Sequence, residues 1–163
     1  MRSVADFVEI LGFPIRSDSE DVCSVGAGWG IEFPSDFCEI AGAYGDATIS
    51  EYIFFCGARR LEKYAMGMGR KLEQSRKVPE LVLPSPGGAL VWGNTLEGDQ
   101  FFLVPRKGGK WTVSAFRRGW GDWYESDLEF SEWFYAALAG EIATDWLPEW
   151  GKMPHAVRPM VER

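Results

Sequence analysis

Histidine is nearly absent from this sequence, and its scarcity removes most of the chemistry that enzymes build on imidazole. The 163-residue chain contains one histidine, His155, in a proline-rich tail. No Ser-His-acid or Cys-His arrangement can be assembled without it. There is also no CxxC or HxxxH pattern, so the sequence predicts no metal site. We expect His155 to bond to the backbone or to solvent.

The glycine-rich and acidic stretches lack the other common catalytic patterns. A phosphate-binding loop needs a glycine, then four residues, then Gly-Lys-Ser/Thr, and neither KGGKW at 107–111 nor GMGRK at 67–71 fits. Carboxylate pairs such as Glu97 with Asp99 lie beside turn glycines, where acids commonly stay solvated. The sequence therefore predicts no catalytic residue and no cofactor, and we do not expect an enzyme.

Cysteine is also scarce, and its three residues are widely spaced. Cys23, Cys38 and Cys56 have largely apolar surroundings, and their number is odd. This pattern favours reduced, mostly buried thiols, with a reactive or metal-bound thiol as the alternative. The first residues lack the apolar core of a signal peptide, and no apolar run approaches the roughly 20 residues of a membrane-spanning helix. We expect a cytoplasmic protein.

Basic residues are outnumbered by acidic ones, 17 against 24, for a formal net charge of −7. Binding to nucleic acid needs local positive charge, so this balance argues against nucleic acid as a direct ligand. Residues 1–57 contain ten acidic and two basic residues, whereas residues 58–77 contain two acidic and seven basic ones. Because Glu62 and Glu73 interrupt the basic segment, it reads as the solvated face of a helix.

Apolar and aromatic residues are abundant, at 46% and 15% of the chain, as expected for one folded domain. Residue spacing predicts helices over 3–12, 33–45, 58–78 and 127–142, a loop over 13–30, and strands or strand pairs over 48–57, 88–94, 100–106, 111–118 and 123–127. We expect residues 1–142 to form the domain and residues 143–163 to form an extended strap packed on it. Helices first, strands in the middle and a helix last predict an α+β fold with a central, mostly antiparallel sheet.

Four segments occur in an order that resembles the SUKH superfamily, the Smi/Knr-like proteins. They are WGIEFPSDFCEIAGAYGDATIS, LPSPGGALVWGNTLEGDQFFLV, KWTVSAF and FSEWFYAALAGEI. In that family a helix ending in Tyr-Gly precedes a strand, a glycine-rich hairpin and a Trp-led strand follow, and a helix comes last. The resemblance implies an α+β fold and a non-enzymatic role. Many bacterial members look like immunity proteins that bind and neutralise a toxin, often a nuclease, and fungal relatives regulate cell-wall assembly.

An immunity role implies a partner protein, and the charge pattern suggests which residues face it. Nuclease toxins tend to be basic, and an acidic inhibitor meets a basic partner faster. We expect a contact face of acidic residues beside turns or strand ends, with one aromatic anchor: Asp46, Glu51, Glu97, Asp99, Asp122 and the anchor Trp120.

Two other functions stay open at this point. One is a regulatory or scaffold protein with a cellular partner and no toxin. The other is a small-molecule-binding or enzymatic domain that uses the concave face of the sheet. The chain is expected to be a monomer or a homodimer joined through an exposed strand edge.

Overall fold

The computed structural model describes residues 1–16, 21–142, 144–150 and 154–160, which form an α+β fold. In this part of the chain the helices are α1 (Val4–Leu11), α2 (Val22–Gly28), α3 (Ser35–Tyr44), α4 (Leu61–Ser75) and α5 (Phe130–Leu138). The strands are β1 (Ala47–Ile49), β2 (Ile53–Phe55), β3 (Leu90–Thr95), β4 (Gln100–Pro105), β5 (Trp111–Arg117), β6 (Asp122–Glu125) and β7 (Val157–Pro159). The predicted fold class is confirmed. Within the expected strap, residues 143, 151–153 and 161–163 lie outside the described residues.

The seven strands form one antiparallel sheet in the order β6-β5-β4-β3-β2-β1-β7. Three hairpins, β1–β2, β3–β4 and β5–β6, account for most of it, and α4 connects β2 to β3. The longest ladder joins β4 to β5, from Gln100 opposite Phe116 to Pro105 opposite Trp111. The last strand, β7, pairs with β1, so part of the C-terminal segment completes the sheet.

Side chains alternate between the two faces of the sheet, and each face packs against helices. The larger core lies between the sheet and α1, α3 and α5. At its centre the buried Trp92 ring lies 4.7 Å from Phe101, 5.1 Å from Phe130 and 5.3 Å from Phe134, measured between ring centres. The smaller core on the opposite face includes Leu72 of α4 and Phe102 of β4. The sheet is therefore covered on both faces, and its turns and edges are left to form surfaces.

The loop expected over residues 13–30 contains a helix, α2, so that expectation is wrong in its second half. The Asp21 carboxylate caps α2 by accepting a hydrogen bond from the Cys23 amide at 3.0 Å. Glycines within α2 hid it from sequence reading, because glycine is a poor helix former. Gly26 is needed for packing, since a Cβ there would lie 2.8 Å from the Ile31 carbonyl oxygen. Residues 17–20 of the expected loop lie outside the described part.

The basic segment forms one continuous helix, α4, although it contains Gly67 and Gly69, and glycine is a poor helix former. Gly69 lets the following loop approach the helix closely, because a Cβ at this position would lie 1.7 Å from the Leu83 carbonyl oxygen. The helix ends at Arg76, which has a left-handed backbone conformation (φ 53°). The glycine that weakens the helix locally is thus the residue that allows it to pack.

The structure corrects the expectation of three reduced thiols. Cys23 of α2 and Cys38 of α3 form a disulfide with a Cα–Cα distance of 5.4 Å. Cys56 is free and buried, and burial raises the pKa of its thiol to about 12, so it is not a reactive thiolate. Among the described residues, no helix is both long and apolar enough to cross a membrane.

Candidate functional site

Three hairpin turns lie side by side at one end of the sheet. In an antiparallel sheet, the turns that follow alternate strands lie at the same end, and the register places the β1–β2, β3–β4 and β5–β6 turns together. The Leu96 amide donates to the Tyr52 carbonyl at 2.8 Å, which joins the first turn to the second. The Arg118 amide donates to the Asp99 carboxylate at 2.9 Å, which joins the second to the third. We call residues 50–52, 96–99 and 118–121 the turn end.

Asp99 belongs to the turn end, but its carboxylate is buried. The side chain is 5% exposed, and its Oδ2 accepts a hydrogen bond from the Thr95 hydroxyl at 2.8 Å. Its Oδ1 accepts from the Arg118 amide. Because both oxygens are used inside the protein, Asp99 holds two turns together and does not form part of the exposed contact face expected for it.

Asp46 is also buried, and it lies at the opposite end of the sheet. Its carboxylate accepts hydrogen bonds from three backbone amides in the segment that leads into α4: Gly57 at 2.8 Å, Arg59 at 3.0 Å and Arg60 at 3.2 Å. Asp46 is 5% exposed and has a left-handed backbone conformation (φ 54°). Its negative charge suits the positive end of the helix dipole. The placement of Asp46 on the contact face is therefore corrected: its carboxylate fixes the turn that leads into α4.

The other four candidate residues all lie at the turn end or directly beside it. Glu51 is exposed at the tip of the first turn, where Arg158 approaches its carboxylate at 3.5 Å. Glu97 is exposed in the second turn, and Trp120 is 67% exposed in the third. Asp122 begins β6 immediately after the third turn. The structure thus brings together Glu51, Glu97, Trp120 and Asp122.

A charged cluster under Trp120 fixes the third turn. The Arg117 guanidinium bonds to Asp122, with Nε 2.5 Å from Oδ1, and its other nitrogens reach Asp122 and Asp145. The Arg117 guanidinium carbon lies 5.1 Å from the centre of the Trp120 ring, within cation–π range. The bond to Arg117 also lowers the pKa of Asp122 below its usual value. Trp120 is therefore largely exposed, and contact with the Arg117 guanidinium holds its ring in place.

Two residues that belong to this surface were not anticipated. Leu96 is 62% exposed at the tip of the second turn, and Asp145 reaches the cluster from the C-terminal segment. The exposure of Leu96 could have been predicted from the sequence, because an apolar residue in a polar hairpin turn lies far from the core. Asp145 has no such signal, since it lies 28 residues from its partner Arg117.

His155 is engaged in holding the structure together. Its ring is buried, with Nε2 2.6 Å from the Leu138 carbonyl oxygen and Nδ1 2.5 Å from the Ser50 hydroxyl. Both ring nitrogens therefore have partners within the protein. Among the described residues, no group of three or more histidine, cysteine or acidic side chains is arranged to hold a metal ion.

A cavity of about 470 Å³ lies between the C-terminal end of α5 and residues 144–150. We call it the strap pocket. Its lining includes Glu141, Ile142, Leu147, Pro148, Glu149 and Trp150. None of its described lining residues belongs to a strand, so it differs from the concave sheet face considered from the sequence.

Comparisons of this chain with family models, curated proteins and solved structures find no match. The resemblance to the SUKH superfamily therefore rests on the ordered motifs in the sequence.

Proposed function

We propose that this chain is a non-enzymatic protein-binding domain, an immunity protein that binds and neutralises a basic toxin through its turn end. The observation that carries the proposal is the pair of exposed apolar side chains, Leu96 and Trp120, on neighbouring hairpin tips. Most large apolar side chains of this chain are buried in the two cores. Large apolar residues grouped on a surface with a polar surround are characteristic of protein-binding sites.

The support under Trp120 suits it to act as an anchor. Tryptophan is among the residues that most often dominate binding energy at interfaces, and an anchor that is already held in place loses little conformational freedom on binding. Arg117 lies against the Trp120 ring and is itself bonded to Asp122 and Asp145. The partner therefore meets a preorganised aromatic surface.

The acidic net charge of the chain supports a basic partner, and this charge acts mainly through the molecule as a whole. Four acidic residues lie at or beside the turn end: Glu51, Glu97, Asp122 and Asp145. Three arginines offset most of their charge: Arg117, Arg118 and Arg158. The chain as a whole carries a formal charge of −7. We therefore expect electrostatics to speed the encounter with a basic toxin, and Leu96 and Trp120 to slow dissociation.

The test is a pull-down with the product of any adjacent toxin gene, washed at low and then at high salt. We expect recovery of one basic protein. We expect the double variant Leu96→Ala/Trp120→Ala to lose about thirtyfold or more in affinity, since truncating an anchor costs about 2 kcal/mol or more. The matched control is Leu81→Ala/Phe13→Ala, because these side chains are 63% and 84% exposed and lie outside the turn end.

Two outcomes of this pull-down would contradict the proposal. Equal loss of binding in both double variants would contradict the assignment of the turn end. Retention of a housekeeping protein, with nothing basic recovered, would favour the regulatory alternative. Because the double variants remove exposed side chains, both are expected to fold like the wild-type chain.

The immunity proposal also places the chain in the cytoplasm of the cell that it protects. Stable disulfides are rare in the cytoplasm, whereas the structure pairs Cys23 with Cys38. The state of this pair in the cell therefore tests the location. Alkylation of thiols in rapidly quenched cells, followed by mass spectrometry, measures that state, and reduced thiols would support the cytoplasmic placement. A fully bridged pair would contradict the cytoplasmic placement.

A further inference from the structure

The strap pocket has the size and the construction of a binding site. Its volume of about 470 Å³ lies within the range of roughly 300–1,000 Å³ that is usual for pockets that bind small molecules. One wall is the end of α5 with the residues that follow it, and the other is the segment 144–150. Ile142, Leu147 and Pro148 supply apolar surface, Thr144 supplies a hydroxyl, and the charged groups among the described lining residues are the carboxylates of Glu141 and Glu149.

The wall contributed by α5 ends in a close backbone contact that requires glycine. Gly140 has a φ of 73°, and a Cβ added to it would lie 2.0 Å from the Trp150 carbonyl oxygen. The Glu141 amide donates to the Ala136 carbonyl at 2.8 Å and the Gly140 amide to the Ala137 carbonyl at 3.3 Å, which forms a Schellman cap. The cap ends the helix at the pocket and brings the segment 144–150 against it.

The opposite wall is held by contacts with the body of the protein. The Tyr52 hydroxyl donates to the Trp146 carbonyl at 3.3 Å, and the Leu147 amide donates to the Thr144 hydroxyl at 3.1 Å. The Trp150 ring lies edge-on to Tyr52 and His155, with ring centres 6.2 Å and 4.9 Å apart. The pocket is thus formed before any ligand arrives.

Every charged side chain among the described lining residues is acidic. Glu141 and Glu149 lie on the two walls, and within the described residues neither forms an ion pair. The pocket also lies at the C-terminal end of α5, where the helix dipole is negative. Trp150 also contributes to the lining. The two carboxylates would repel an anionic ligand, and a neutral ligand would form no ion pair with them.

From this combination of shape and charge, we propose that the strap pocket binds an organic cation, a guanidinium or ammonium group. The carboxylates of Glu141 and Glu149 pair with the cation from the two walls, and its hydrocarbon stem packs on Leu147 and Pro148. The cation belongs either to a free small molecule or to an arginine or lysine side chain of a partner protein. The pocket is independent of the function proposed for the turn end.

The test compares two ligands of the same shape. N-acetyl-arginine amide and N-acetyl-citrulline amide are titrated into ¹⁵N-labelled protein, and the indole N–H signal of Trp150, assigned with Trp150→Phe, is followed by NMR. We expect the arginine derivative to bind with a Kd on the order of 1 mM. We expect the neutral citrulline derivative to bind at least about tenfold more weakly, because it cannot pair with the carboxylates.

Matched variants identify the carboxylates. Glu141→Gln and Glu149→Gln are each expected to weaken binding of the arginine derivative by about threefold or more, because each removes one charge and keeps the shape. Glu62→Gln makes the same change at an exposed position of α4, outside the pocket, and is expected to leave binding unchanged. The dispersion of the amide spectrum shows that each variant is folded.

A third titration, with the peptide Gly-Arg-Gly, separates the two sources of the cation. Binding much tighter than that of the derivative would indicate a protein side chain, and equal binding would indicate a free small molecule; both outcomes uphold the cation pocket. Equal affinity for citrulline and arginine, or no shift of the Trp150 signal at tens of millimolar ligand, would overturn it. Since no toxin enters the experiment, its result is separate from that of the pull-down.

Discussion

At the scale of single residues, His155 connects parts of the chain that are far apart in sequence. The Leu138 carbonyl can only accept a hydrogen bond, so Nε2 of His155 carries the proton and Nδ1 accepts from the Ser50 hydroxyl. The backbone amide of His155 donates to the Ile10 carbonyl at 2.7 Å. One residue of the C-terminal segment thus joins α1, α5 and the first hairpin turn. The sequence predicted backbone or solvent as its partner, and the backbone bond to Leu138 agrees with that prediction.

Burial of His155 predicts that stability falls on mild acidification. Burial lowers the pKa of its ring below the ordinary value of 6.5, so the unfolded chain binds a proton more readily than the folded one. The stabilisation is complete above about pH 6.5 and is lost as the pH falls through the lower pKa of the folded state. Urea unfolding between pH 5 and pH 7.5 should show this loss.

The matched variant for this prediction is His155→Gln, because His155 is the only histidine in the chain. We expect the variant to be less stable by about 1–2 kcal/mol at pH 7.5, since it weakens two buried hydrogen bonds. We also expect its stability to vary less over this pH range. A pH dependence identical to that of the wild-type chain would show that other groups cause it.

At the scale of elements, the disulfide attaches the short helix α2 to α3. α2 has seven residues, which is too short for a helix to be stable without tertiary contacts. Val22 is buried in the main core, and the Cys23–Cys38 bond adds a covalent link. The bridge and the packing of Val22 and Gly26, rather than helix propensity, hold α2 in place.

Reduction of this bridge is expected to destabilise the protein. The bonded cysteines are 15 residues apart. Closing a loop of this length lowers the conformational entropy of the unfolded chain, which stabilises the folded state by about 3 kcal/mol. Guanidinium unfolding with and without reductant measures the loss. The Cys23→Ser variant should show the same loss without reductant and no further change with it. If reductant destabilises Cys23→Ser as well, it acts at some other site.

At the scale of the whole molecule, the C-terminal segment completes both the core and the sheet. Trp146 packs against Phe101, Tyr124 and Trp133 of the main core. Strand β7 covers the edge of β1 and is itself short and contains Pro159, which discourages pairing with another chain. The described parts of the expected strap are therefore integral to the fold. Without β7, strand β1 would form an unpaired edge of the sheet.

Removal of residues 143–163 is expected to weaken the fold and to promote self-association. Loss of the buried Trp146 and Leu147 alone should cost about 3 kcal/mol or more, from the apolar surface that they bury. The bare edge of β1 then offers unpaired backbone groups to a second chain. Urea unfolding and light scattering after size-exclusion chromatography measure the two effects. A truncated chain that is monomeric and as stable as the full chain would contradict this role.

The fold class was predictable because its signals are local. Helical spacing of apolar residues indicated α1, α3 and α5, and glycine-containing turns between apolar runs indicated the β3–β4 hairpin. The sequence also showed that the chain contains a single histidine, His155. Such patterns need no knowledge of the distant parts of the chain, because each concerns residues a few positions apart.

The candidate surface was predictable only in part, because burial depends on residues that are distant in sequence. Asp46 and Asp99 have the same local context as exposed turn acids, but backbone amides 11 to 19 residues away bind their carboxylates. The pairing of Cys23 with Cys38, the bond from Arg117 to Asp145 and the walls of the strap pocket depend in the same way on how the elements pack. Local sequence determines which elements form, whereas packing determines which side chains are left exposed to bind a partner.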